Sequence, residues 1–178
     1  MKCTELLTHE HKLILRALDV LDAMTESIEQ SRPVDRLDID KILDFMRWFA
    51  DAHHQAKEET ILFPALKRAA SSQSRPAAHL MFEHGQERAL IEEMEKDVRL
   101  ADLPQFAGCA NRLSSTLRNH IYKEDHILFE TADAVLTAAE DEAVFQELNR
   151  FETTQDTQTL AKSLEQLHAL EWKYLRKS

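Results

Sequence analysis

Two stretches of the chain nearly repeat one another: HHQAKEETILFP, from His53 to Pro64, and NHIYKEDHILFE, from Asn119 to Glu130. Aligned on His54 and His120, each reads histidine, three residues, glutamate, a second acid, then Ile-Leu-Phe. On a helix, residues three, four, seven and eight apart share a face. His54 stands eight after Met46 and four after Ala50, and Glu58, Ile61 and Leu62 follow it by four, seven and eight. Leu113, Thr116, Glu124, Ile127 and Leu128 bracket His120 in the same way. Each segment therefore sets one imidazole and one carboxylate a turn apart on an inward-facing stripe. Two further histidines follow a glutamate near the starts of other helical segments, at Glu10-His11 and Glu83-His84. Leu7, Leu15 and Leu18 flank His11; Leu80 and Ile91 flank His84.

An ionised carboxylate is far costlier to bury than a neutral imidazole. Two inward acids and four inward histidines need a common positive partner, and Arg88 is the nearest inward basic side chain. One arginine is too few, so bound cations are expected. No cysteine joins the pattern, which argues against tetrahedral zinc with sulfur. Two central carboxylates shared by four imidazoles suit a metal pair, each ion taking two histidine nitrogens and up to two oxygens. Six-coordinate ions would keep about two positions each for a bridging oxide or water and an exchangeable ligand. Nitrogen and oxygen donors with open positions suit non-haem iron and suit manganese less well; zinc or copper would also bind by affinity order.

Nearby polar residues receive blander readings. Glu59 and Asp125 lie about 100° round from the inward acids, as solvated helix-face residues; the sharper alternative makes them partners of the ligand imidazoles. Lys57 and Lys123 read as surface cations and His53 as a residue of a boundary or solvent face. Arg88 reads as an ordinary salt bridge, or else as a partner for a metal-bound anion. His9, His79, His126 and His168 are set aside as ligands. Pro64 is expected to kink its helix past the site, with no counterpart at Glu130.

The positioning elements follow from composition and breakers. Only 2 Gly and 4 Pro occur, and Ala, Leu, Glu, Lys, Arg, Gln and Met are abundant. The class is all-α. Helices are expected over Thr4–Glu29, Asp35–Ala70, up to about Leu100, and Leu103 to about Ala139, with Ser71–Pro76 as the clearest loop. Short connections imply an up-down-up-down four-helix bundle with a C-terminal helical extension. The bundle is assigned to residues 1–152. Residues 153–178 supply a polar linker and an amphipathic helix with a Leu160, Leu164, Leu167, Tyr174 stripe, packed on the bundle or at a dimer contact. A net charge of −10 argues against nucleic acid, and no apolar run is long enough to span a membrane. Two cysteines without a CxxC unit, and no secretory leader, make the cytoplasm the expected location.

The four elements THEHKLIL, HHQAKEETILFPAL, FEHGQERALI and NHIYKEDHILFE resemble the hemerythrin-like, or HHE cation-binding, domain family. The resemblance covers roughly residues 4–152. It implies a four-helix bundle holding two non-haem iron ions (Fe2+/Fe3+) bridged by an oxide or hydroxide. His11, His54, His84 and His120 are then terminal ligands, and Glu58 and Glu124 bridging carboxylates. Family members bind oxygen, sense oxygen or iron, respond to nitric oxide or peroxide, or help repair iron–sulfur centres.

The oxygen carriers have an HxxxH pair on the third helix; here Leu80 and Arg88 flank His84. Carriers also use a His-x4-Asp on the fourth helix, and His120 offers both Glu124 and Asp125, internal symmetry favouring Glu124. The four-histidine, two-glutamate set looks more like the repair proteins, which carry a cysteine-bearing N-terminal domain for which this chain has no room. The expectation is a di-iron protein reacting with or sensing O2, NO or H2O2, as a monomer or homodimer, with an iron-handling or iron–sulfur repair-related module as the alternative. Whether it is an enzyme is left open.

Overall fold

The computed structural model describes residues 2–69 and 75–176. Six helices appear among them: α1 (Cys3–Glu29), α2 (36–69), α3 (Arg75–Arg99), α4 (103–135), α5 (Ala138–Thr154) and α6 (Thr157–Tyr174). No strand occurs among the described residues. The expected Ser71–Pro76 loop falls mostly outside them, and α3 has already begun at Arg75.

Capping chemistry sets the helix starts. The Asp35 carboxylate accepts from the Leu37 N–H to open α2, and Asp102 accepts from Gln105 N–H to open α4. Helix α4 ends at Val135, short of the expected Ala139. The reason is a capping box: Thr137 Oγ1 accepts from the Glu140 N–H, and the Glu140 carboxylate accepts from the Thr137 N–H at 2.8 Å. The expected linker narrows to Gln155 and Asp156, because α5 runs on to Thr154 and Asp156 caps α6. Both hairpins, α1–α2 and α3–α4, leave the first helix through a left-handed residue, Ser31 (φ 55°) and Ala101 (φ 56°). Arg32 N–H then reaches Ser27 O, and Asp102 N–H reaches Asp97 O, the closing bond of a Schellman motif.

Helices α1 to α4 form the bundle, each packed on its two neighbours. Two apolar clusters fill it end to end. One contains Leu18, Leu21, Ile42, Met46, Met94 and Leu113; the other contains Leu7, Leu62, Leu66, Leu80, Leu128 and Phe129. The histidine layer lies between them. Helix α6 lies across α1 and α2, burying Leu167 and Leu170, and Tyr174 Oη donates to Asp38 at 2.9 Å. Helix α5 buries Val144 and Leu148 against the second cluster.

Both motif helices depart from regular α geometry at the same place. Glu58–Leu62 and Glu124–Leu128 are π-helical, and the N–H groups of Phe63 and Phe129 reach back five residues to Glu58 O and Glu124 O. A longer π segment, Met46–Gln55, precedes the first. The wide turn thus occurs in both helices, in one with Pro64 just beyond it and in the other with Glu130 at that place. In α4 the wide turn leaves Ile127 facing outward, whereas Ile61, its counterpart in α2, is buried, with α5 packed against that turn. Leu128 and Phe129 are buried, whereas Ile127, expected inward, is 51% exposed.

Candidate metal centre

The polar layer is built from one histidine each of α1 and α3, and one histidine and one glutamate each of α2 and α4. His11, His54, Glu58, His84, His120 and Glu124 are all buried at 2% exposure or less. They fall into two sets that share both acids: His11, His54, Glu58 and Glu124, and Glu58, His84, His120 and Glu124. Within each set the ligand-type atoms lie within 4.8 Å of one another. His11 Nε2 stands 3.2 Å from Glu124 Oε2, and His120 Nε2 stands 3.1 Å from Glu124 Oε1. Glu58 lies 3.7 Å from His54 Nε2 and 3.5 Å from His84 Nε2.

The interior of this layer lacks hydrogen-bonding partners. Both carboxyl oxygens of Glu58 and of Glu124, and the Nε2 atoms of His11 and His54, are buried without one. The Nε2 atoms of His84 and His120 face each other at 2.9 Å. Buried polar atoms are normally satisfied, so a group of inward lone pairs fits cations. The donor set, four imidazoles and two carboxylates, fits two ions.

An outer ring of acids fixes each imidazole. Nδ1 of His54 donates to Glu10 (2.8 Å), His84 to Glu59 (2.8 Å), His120 to Glu83 (2.9 Å) and His11 to Asp125 (2.8 Å). A carboxylate only accepts, so in the neutral imidazole Nδ1 carries the proton and Nε2 presents its lone pair inward. Each acid adjoins, in the chain, a residue of the inner layer on one helix and serves a histidine on the next helix. The ring runs α1 to α2, α2 to α3, α3 to α4 and α4 back to α1, repeating after half a circuit.

Basic residues back this ring. Lys57 Nζ, wholly buried, donates to Glu10, to Glu152 of α5 at 2.5 Å and toward His53 Nε2 at 3.1 Å. Lys123 donates to Glu83 in the matching position. Arg88 pairs with Glu59 at 2.5 Å and Asp51 at 2.6 Å. Each member of the repeated Lys-Glu-acid tripeptide thus has its own task, the central acid facing inward and the others holding neighbouring helices.

These contacts set the protonation of the metal-free layer. Burial and the facing Glu124 push Glu58 well above the usual carboxylate range. Burial opposes ionisation of Glu124 too, but His120, His11 and His84 outweigh it and hold that carboxyl low. Burial disfavours a charged His11, yet Asp125 and Glu124 raise it to about 9. His120 rises likewise to about 9 against burial, chiefly through Glu124. Burial pushes His54 down to about 4, the Glu10 hydrogen bond opposing and nearby His11 assisting.

The structure brings together all six residues singled out from the sequence, and Glu124 rather than Asp125 faces inward. It corrects the blander readings around them. Glu59 and Asp125 are not free solvated acids; the alternative reading holds, and they accept hydrogen bonds from His84 and His11. Lys57 and His53 are buried, at 0% and 5% exposure, and are not surface groups. Arg88 makes salt bridges, one of them to an acid of the ring. Glu10 and Glu83 were given no role from the sequence, although each stands beside a singled-out histidine. Their signal was the repeated Glu-His pair itself. A residue 100° off the inward face still reaches the flanking helix, because bundle helices pack only about 8–10 Å apart.

No curated protein matches the chain. Among the described residues no helix is long and apolar enough to cross a membrane. Residues 3–132 match the hemerythrin HHE cation binding domain, the stretch that carries all six inward residues and the whole acid ring. On that match and this geometry, the chain belongs to the hemerythrin HHE cation-binding domain family.

Proposed function

We propose that this protein holds two non-haem iron ions and reacts with or senses a small ligand, O2, NO or H2O2, at their open positions. The observation that carries the reading is the sharing of Glu58 and Glu124 by two histidine pairs, with all four carboxyl oxygens buried and unpartnered. His11 and His54 would serve one ion, His84 and His120 the other, and the two acids would span them. Bound iron supplies redox chemistry and exchangeable coordination positions. The chain's own residues hold the imidazole tautomers through Glu10, Glu59, Glu83 and Asp125, neutralise the outer acids with Lys57, Lys123 and Arg88, and keep water from the layer with apolar clusters on both sides.

The test is anaerobic reconstitution with ferrous iron, a metal count per chain, then admission of O2, NO or H2O2 while the spectrum is recorded. Two irons and a ligand-dependent spectral change support the reading; fewer than one tightly bound metal overturns it. A second reading, iron handling or sensing, draws on the same unpartnered carboxylates. A metal-free layer with two facing buried acids is electrostatically costly, so occupancy changes stability. Two irons with no response to any of the three ligands would favour it.

A further inference from the structure

The two halves of the acid ring are not equally supported. On the α3–α4 side, Glu83 is held by Lys123 and by His79, which is 65% exposed, 3.1 Å away and on the same helix. On the α1–α2 side, Glu10 is held by Lys57 and His53, and both also contact Glu152 of α5. Helix α5 lies beyond the family match, which ends at residue 132. Glu10, His53 and Glu152 also have the spacing of a cation site. That place is taken by the Lys57 ammonium, within hydrogen-bond distance of all three, so the cluster is an ion-pair network.

We propose that Glu152 is a positioning residue of the metal centre, acting through Lys57 and Glu10 on His54, so that one of the two metal positions depends on the C-terminal helices. The inference rests on the di-metal reading above. Its physical basis is the sharing of one cation. Glu10 turns one oxygen to Lys57 and the other to His54 Nδ1. With Glu152 present, the Lys57 charge is divided between two carboxylates. Without it, that charge falls on Glu10 alone, which becomes a poorer acceptor from His54 and leaves the imidazole a weaker metal donor. The Glu83 arm takes its partners from α3 and α4 and escapes this dependence.

The experiment is a stepwise ferrous-iron titration of the full chain under anaerobic chelator competition, with His54→Ala and His120→Ala identifying which step belongs to which position. Glu152→Gln, isosteric and at a partly exposed site, should weaken the step that His54→Ala removes by about tenfold, the lower end of effects for groups supporting a ligand, and leave the other step unchanged. Because Glu152 acts through Lys57, Glu152→Gln should have no further effect on that step in a Lys57→Met background, and a full tenfold loss there would overturn the inference. A Glu152→Gln protein that binds both ions like wild type, or loses affinity equally at both steps, overturns the inference and leaves the di-iron reading standing. Wild type binding fewer than two ions removes both. A purely structural role for Glu152 would lower thermal stability without selecting one step.

Discussion

Glu10 adjoins His11 in the chain, yet its carboxylate accepts a hydrogen bond from His54 Nδ1 on the next helix, at 2.8 Å. Glu83 adjoins His84 and serves His120 in the same way, at 2.9 Å. Removing either acid should therefore damage the neighbouring helix's ligand, not the adjacent histidine. Glu10→Ala and Glu83→Ala should each lower metal affinity by about 10- to 100-fold, as is typical of groups that orient a metal-bound imidazole. Chelator competition measures it. Unchanged affinity in both variants would show that the acid ring is not coupled to metal binding.

Burial and the facing Glu124 push the Glu58 carboxyl well above its usual range, so without a cation Glu58 opposes folding, either by taking up a proton or by standing charged beside Glu124. Glu58→Gln should lose metal, but its metal-free form should be more stable than metal-free wild type at neutral pH by about 1–3 kcal/mol, since a neutral amide needs no proton and does not repel Glu124. Loaded wild type should melt above both, with about 2.7 kcal/mol of added stability when free metal is a hundredfold over Kd. Thermal unfolding with and without chelator gives all three values. A metal-free variant less stable than metal-free wild type would contradict the electrostatic account.

Metal binding should depend steeply on pH. In the metal-free protein His11 and His120 titrate near about 9, so both carry protons at neutral pH, while a metal needs their lone pairs. Affinity should therefore rise from pH 6 toward 9 and level off above it. Loss of these two histidine protons alone gives up to about a hundredfold per pH unit over the steepest part, and a proton held on Glu58 would add to it. For the metal-free fold the sign is opposite. These raised histidines contribute stability that is full below their ordinary value of 6.5 and lost as pH rises through about 9. Calorimetric titration in buffers of different ionisation enthalpy counts the released protons. A flat affinity profile would refute the assignment.

Backbone sites remote from the centre offer a control on the fold. Ala101 sits at φ 56°, where an L side chain is strained, so Ala101→Gly should stabilise by about 1 kcal/mol. Gly108 lies inside α4 with nothing within 4 Å of an added Cβ, so Gly108→Ala should add about 0.5–1 kcal/mol. Denaturant unfolding should show both gains with iron stoichiometry unaltered. Destabilisation at either site would contradict the local backbone geometry.

Local pattern carried the helical class, the bundle and the six inward residues, because each depends on what repeats within one helix. Periodicity put His54 beside Glu58 and His120 beside Glu124, and a helix preserves that relation wherever it packs. The same periodicity misplaced Ile127, since it assumes a uniform turn and a π segment adds a residue. It also placed Lys57, Glu59 and Asp125 in solvent, because a single helix has no means of showing which neighbour covers its flank.

Only the tertiary structure decided those flanks. The acid ring joins residues of different helices, and whether a carboxylate finds an imidazole or water depends on how closely two helices approach and in which register. Glu152 is the extreme case. Nothing near it in the chain resembles a metal motif, and its contact with Lys57 spans 95 residues. The amino-acid sequence by itself determined which side chains turn inward, through helical geometry. Packing decided which charges meet, because electrostatic partners are chosen by distance in space rather than spacing along the chain.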